Sequence, residues 1–98
     1  MADTPVIERI DGRLRVRGPV TLSHVQTLLD QSRQVFTETD LCIDLSGVSE
    51  ADSSAVALML EWERQARARG ASIRFEHPTE NLQTLIGLYD VGAFLPGV

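Results

Sequence analysis

Two adjacent hydroxyl side chains, Ser53 and Ser54, follow Asp52 at the predicted start of a helix. The first turn of a helix has unpaired backbone N–H groups and a partial positive charge, so it can bind an anion or carry a phosphorylated serine. The same residue types are also ordinary there, because an aspartate often caps a helix and serines often fill its first turn. The local sequence leaves both interpretations open.

The predicted helix has two faces of different character. At about 100° per residue, one apolar stripe is predicted to pack in the core, and it consists of Ala55, Leu58, Met59, Trp62 and Ala66. The opposite face holds Ser53, Ala57, Leu60 and Arg64, with Val56 and Arg67 at its edge. Ser53 is therefore predicted to face solvent. An exposed face with this many apolar residues often binds a partner protein. Single exposed leucines without a function are also common, so the pattern does not decide between a binding face and an ordinary surface.

Groups that catalyse reactions are sparse in this chain. His24 and His77 fall in different predicted elements, and a surface or capping role is expected for each. Glu61 and Glu63 are two residues apart on a helix, so they point to different faces and do not form a carboxylate pair. The sequence contains no phosphate-binding glycine motif and no Cys-x-x-Cys motif. We expect no enzymatic activity, no cofactor and no metal ion.

Composition limits the remaining classes of function. With 98 residues, of which 43% are hydrophobic, the chain is expected to form a single domain, 1–98. A net charge of −5 opposes binding to nucleic acid or to anionic lipid. Cys42 is the only cysteine, and it is predicted to be a small buried apolar residue in a reducing compartment. Because no leader or membrane-spanning segment is recognisable, we expect a cytoplasmic protein that meets the membrane only through a complex.

Periodicity predicts the order β-β-α-β-α-β-α, an α/β fold with a four- to five-stranded mixed sheet and helices on one face. Asp11-Gly12 suits a tight hairpin between the first two strands. Thr21 and Thr79 are candidate helix caps, and the apolar tail after residue 90 is predicted to pack as a coil. The predicted strands are Val6–Ile10, 14–17, 41–45 and 71–76, and the predicted helices are 21–36, 53–69 and one that begins after Thr79.

The segment IDLSGVSEADSSAVALML resembles the signature of the STAS domain family, a strand followed by a loop and an aspartate–serine/threonine pair that opens a helix. The resemblance covers nearly the whole chain and implies the STAS fold. In the anti-sigma-factor antagonists of this family a partner kinase phosphorylates the hydroxyl residue after that aspartate, which corresponds to Ser53. Most family members have glycine two positions later, where this chain has Ala55.

The chain is also similar to the MlaB-like STAS subunits of a bacterial phospholipid-transport ABC complex. That similarity rests on CIDLSGVS, on ALML in the second helix and on LIGLYDVGAFLP near the end. It implies a non-catalytic subunit that binds the cytoplasmic ATPase, supports outer-membrane lipid asymmetry and lies peripheral to the inner membrane through its complex. The implied contact residues are Asp52, Ser53 and Ser54 with the face beside them, namely Val56, Ala57, Leu60 and Arg64. The alternative is an anti-sigma-factor antagonist controlled by phosphorylation of Ser53.

Overall fold

A computed structural model describes residues 4–98 of the chain. Within that range the chain forms four strands and three α-helices in the predicted order, which is thereby confirmed. The strands are β1 (Val6–Ile10), β2 (Arg13–Val20), β3 (Asp40–Ala51) and β4 (Ser72–Glu76), and the helices are α1 (Val25–Val35), α2 (Ser53–Ala68) and α3 (Glu80–Tyr89). Short 3₁₀ turns lie before α1, at Leu22–His24, and after α3, at Gly92–Phe94. Residues 1–3 of the predicted domain lie outside the described range.

The strands form one mixed sheet with the order β1-β2-β3-β4. Strand β1 is antiparallel to β2, and the tight turn between them places Asp11 and Gly12 at φ values of 50° and 78°, as the hairpin prediction requires. Strands β2, β3 and β4 are parallel to one another. Their carboxyl ends therefore lie at the same edge of the sheet, and each of them leads into a helical segment there.

The core lies between the helices and one face of the sheet. Alternate strand residues such as Leu14, Ile43 and Phe75 are buried and turn toward the helices. Helix α2 buries the whole predicted stripe, Ala55, Leu58, Met59, Trp62 and Ala66. The Trp62 ring packs against Phe36 at the end of α1, with 5.1 Å between the ring centroids.

The other face of the sheet carries charged side chains. Arg13, Arg15 and Arg17 lie at alternate positions along this side of β2, and they form ion pairs of 3.3 to 3.5 Å with Glu76 of β4, Asp44 of β3 and Glu8 of β1, respectively. This alternation of apolar and charged positions explains why helices cover only one face. The prediction of helices on one face is confirmed.

Cys42 lies on the charged face, so the prediction that it is a buried apolar residue is wrong. Its side chain is only partly buried, and its Sγ lies 2.9 Å from Oε1 of Glu76. Partial burial, followed by the Glu76 carboxylate, raises the pKa of the Cys42 thiol. The apolar run around it suggested a strand that is buried on both sides, whereas only its alternate residues are buried.

Strand β3 is longer than predicted, because the segment 46–51 continues the strand instead of forming a loop. It pairs with the end of β2, which also runs past the predicted break at Gly18-Pro19. Register shifts accompany this stretch, and Pro19 lies beyond the last residue of β2 that pairs with β1. A proline is tolerated there because its missing N–H costs no hydrogen bond to β1.

The C-terminal segment packs along the outer edge of β4. Leu95 is buried, and the N–H of Phe75 donates a 2.8 Å hydrogen bond to the carbonyl oxygen of Pro96. Residues Gly92–Phe94 of this segment form a 3₁₀ turn, so the segment is not entirely the coil that the sequence predicts. Tyr89, at the end of α3, is 53% exposed. Leu82 and Ile86 fill the core at that helix instead.

Candidate functional site

The candidate site lies at the sheet edge where the parallel strands end. The Leu22–His24 turn follows β2, α2 begins at Ser53 directly after β3, and α3 follows β4. The Nδ2 of Asn81, in the first turn of α3, donates a 3.1 Å hydrogen bond to the carbonyl oxygen of Ala51. The starts of α2 and α3 are thereby held together at this edge.

Asp52 is the N-cap of α2, as predicted, and it also binds a second segment. Its Oδ1 accepts a 2.8 Å hydrogen bond from the N–H of Ser54, and its Oδ2 accepts one of 3.2 Å from the N–H of Leu22. Burial acts to raise the pKa of Asp52, but these N–H groups outweigh it and hold the pKa below its usual range. The ionised carboxylate thus fastens the Leu22–His24 turn to α2.

Ser53 is the first residue of α2 and is exposed, whereas Ser54 is half-buried. The predicted exposure of Ser53 is confirmed. A charged group on its hydroxyl would lie beside the first N–H groups of a 16-residue helix, where negative charge is favoured. Ala55 is buried, so its methyl group belongs to the core.

We call the exposed side of α2 that begins at Ser53 the docking face, and it consists of Ser53, Ala57, Leu60 and Arg64. Ala57 and Arg64 are exposed, and Leu60 is half-buried. Nη2 of Arg64 lies 2.6 Å from Oε2 of Glu61. Hydrogen bonding from Arg64, then from Gln65, lowers the pKa of Glu61 to about 2. Arg64 is therefore held along the helix by a carboxylate that is ionised at neutral pH.

Val56 does not belong to the docking face, so its predicted position at the edge of the exposed side is wrong. Its side chain is only 3% exposed and forms part of the core. Gln65, on the other flank of α2, lines a cleft with Ser32 and Phe36 of the α1 segment. Helix α3 also contacts α2. The buried part of α2 is thus wider than the single stripe that the sequence predicts.

Leu22 is a feature of the site that sequence reasoning missed. Its spacing with Val25 and Leu28 predicts a place on the packed face of a helix that starts at residue 21. Instead, α1 begins at Val25, and Leu22 is 78% exposed in the 3₁₀ turn beside Asp52. Thr21 precedes this turn without a side-chain cap, so its predicted capping role is wrong. Leu22 and Asp52 are 30 positions apart in the chain, so the local sequence around either residue does not predict their contact.

The side chains that could take part in catalysis do not converge on this site. Nδ1 of His24 lies 3.1 Å from Oγ1 of Thr21, and Nδ1 of His77 lies 3.6 Å from Oδ1 of Asp44 on the charged sheet face. Cys42 lies on that face as well. Among residues 4–98, no cluster of three or more His, Cys, Asp or Glu side chains could hold a metal ion.

No helix in the described part of the chain is both long and apolar enough to cross a membrane.

Comparisons with known proteins identify the domain. A search of curated proteins finds no match, but a family model described as "Mlab, STAS domain" matches residues 4–96. The fold is similar to that of the anti-sigma factor antagonist SpoIIAA in its unphosphorylated form, with a TM-score of 0.71, 18% identity and coverage of 97% of this chain and 88% of that chain. The phosphorylated form of SpoIIAA, a Bacillus cell fate determinant, gives a TM-score of 0.64, 16% identity and coverage of 97% and 91%. STAS domains are in general protein-interaction domains without catalytic activity. This chain, with its Asp-Ser pair at the start of α2, belongs to the STAS domain family.

Proposed function

We propose that this STAS domain is a non-catalytic subunit that binds the cytoplasmic ATPase of an MlaB-like phospholipid-transport ABC complex and stabilises or regulates it. Its role there would support outer-membrane lipid asymmetry, and the domain would lie in the cytoplasm, at the inner membrane only through the complex. The observation that carries the proposal is the docking face, an uncovered and partly apolar side of α2 that starts at Ser53. The MlaB description of the matching family model supports the choice of partner.

The contacts on the docking face suit binding better than chemistry. Asp52 is occupied by two backbone N–H groups, and Arg64 is paired with Glu61. Ala57 and Leu60 offer an apolar strip between Ser53 and Arg64. A strip of this kind, with polar groups at both ends, has the usual anatomy of a protein interface.

The first experiment measures binding to the ATPase subunit of the phospholipid-transport ABC complex from the native host. The two proteins are co-expressed and purified through a tag on the ATPase, and the Kd of the complex is then measured by calorimetry. Ser53→Asp is expected to weaken binding by about tenfold, because the added carboxylate must lose its water against the apolar strip of Ala57 and Leu60 when the interface forms. Gln34→Glu adds the same charge at an exposed position of α1 and is expected to change the Kd by less than about twofold. Wild-type protein that does not bind the ATPase would overturn the proposal.

The second candidate is an anti-sigma-factor antagonist switched by phosphorylation of Ser53. It is favoured by the exposed Ser53 hydroxyl at a helix N-terminus and by the fold that the chain shares with SpoIIAA. A phosphate would add a charge of about −1.5 to −2 there and would release a partner whose surface is acidic or apolar. Purification from the native host separates the candidates. Recovery of the ATPase supports the first, and recovery of a kinase with phosphate on Ser53 by mass spectrometry supports the second.

A further inference from the structure

Leu22 exposes more of its side chain than any other large apolar residue in the described range, 78%. It lies beside the docking face, because its N–H is bound by the Asp52 carboxylate immediately before Ser53. Leaving a leucine in water forgoes the favourable free energy of burying its side chain. A side chain in this position gains that free energy only when another surface covers it.

The turn holds Leu22 in a fixed position. The N–H of His24 donates a 2.8 Å hydrogen bond to the carbonyl oxygen of Thr21, and the side chains of these two residues lie 3.1 Å apart at Nδ1 and Oγ1. Together with the bond to Asp52, these contacts restrain the turn on both sides of Leu22. A side chain that is positioned before binding loses less conformational entropy in the complex.

The charge around Leu22 restricts the kind of surface that can cover it. Glu50 at the end of β3, Asp52 and Glu80 at the start of α3 meet at the same sheet edge, and Glu50 and Glu80 are exposed. The segments that form this edge, 21–26, 49–56 and 79–83, contain no lysine or arginine. A complementary surface must therefore be positively charged around the point where Leu22 is buried.

We propose that Leu22 is the apolar anchor of the docking face and inserts into a pocket of the ATPase subunit that is rimmed by basic residues. The inference rests on the proposed function and adds a residue outside α2 to the binding surface. The complete surface runs from Leu22 across Ser53 to Leu60, so it combines two segments that the Asp52 carboxylate holds together.

A matched pair of leucine substitutions tests the anchor. Leu22→Ala is expected to raise the Kd for the ATPase subunit by about ten- to a hundredfold, which corresponds to the burial of one leucine side chain. Leu88→Ala removes a leucine of similar exposure, 73%, two turns further along α3 from Glu80, and is expected to leave the Kd within about twofold of wild type. Both variants should unfold at the wild-type denaturant concentration, because neither side chain is buried in the free domain.

A second pair tests the charge of the pocket. Glu80→Gln is expected to weaken binding by a few-fold in low salt and to reduce its salt dependence, whereas Asp30→Asn, at an exposed position of α1, should do neither. A Leu22→Ala variant that binds as tightly as wild type would overturn the anchor. A Glu80→Gln variant with unchanged salt dependence would overturn the basic rim. If the wild-type domain itself fails to bind the ATPase, the proposed function fails and the inference falls with it.

Discussion

At the scale of single residues, the carboxylate of Asp52 serves two segments at once. The cap on α2 can be predicted from the sequence, because an aspartate before two serines and an apolar run is a common helix start. The second bond, to the N–H of Leu22, joins positions 30 residues apart. Such a contact depends on the sheet that brings the ends of β2 and β3 together, so it could not be predicted locally.

Replacing Asp52 tests both bonds. Asp52→Ala is expected to lower the free energy of unfolding by about 1 to 2 kcal/mol, because it removes the cap and leaves the turn unfastened. Asp52→Asn keeps one side-chain oxygen as an acceptor and should lose less. Urea denaturation followed by the fluorescence of Trp62, the single tryptophan, measures the difference. An Asp52→Ala variant as stable as wild type would show that neither bond contributes.

The ionisation of Asp52 predicts a pH dependence. Since the pKa of this carboxyl is lowered in the folded state, the unfolded state takes up the proton first as the pH falls. The contribution to stability is therefore complete above the unfolded pKa, about 3.9, and is lost as the pH falls through the folded pKa. The stability difference between wild type and Asp52→Asn should be constant from about pH 5 to 7 and shrink below about pH 4. A difference that stays the same at low pH would contradict this assignment.

At the scale of elements, α2 is packed on three sides and open on one. The sequence predicted its start, all five residues of its core stripe and the exposure of Ser53, because a 3.6-residue period gives these directly. The period does not reveal that Val56, at the edge of the exposed side, is buried as well. The burial of Val56 depends on neighbouring segments whose places are decided by the tertiary fold.

A pair of adjacent substitutions separates the packed flank from the docking face. Val56→Ala is expected to lower the free energy of unfolding by about 2 kcal/mol, since it removes buried methyl groups and leaves a cavity. Ala57→Ser, one residue further on the exposed face, should change it by less than about 0.5 kcal/mol. Chemical denaturation of both variants measures the contrast. Equal losses at the two positions would contradict an α2 that buries Val56 and exposes Ala57.

At the scale of the whole molecule, the order and type of the elements followed from periodicity, whereas their ends did not. The segment 46–51 looks like a loop because of Ser46, Gly47 and Ser49, yet it extends β3 where the end of β2 offers a pairing partner. Pairing between distant strands overrides local preference. The prediction for Cys42 failed for a related reason, because the run 41–45, which is apolar except for Asp44, does not show that helices cover only one face of the sheet.

The packing of the C-terminal segment on β4 can be tested at Gly97. This residue has a φ of +93°, and a Cβ there would lie 2.5 Å from Cγ of Arg74 and closer still to the carbonyl oxygen of Phe75. Gly97→Ala is therefore expected to destabilise the fold by about 2 kcal/mol or more. Gly12→Ala, at a φ of +78° with open space around it, carries only the backbone strain of about 1 kcal/mol. Thermal unfolding of the two variants should rank them in this order, and the reverse order would contradict the close contact.

The hydrogen bond between Phe75 and Pro96 has a consequence for the behaviour of the protein in concentrated solution. An uncovered outer strand is a template on which further chains can add by strand pairing. The carbonyl of Pro96 occupies the Phe75 donor, and a proline has no N–H of its own with which to continue the ladder. The C-terminal segment thus acts as a stop against sheet polymerisation. A variant such as Gly97→Ala, which loosens it, should form fibrillar aggregates at concentrations where nearly all of its molecules are still folded.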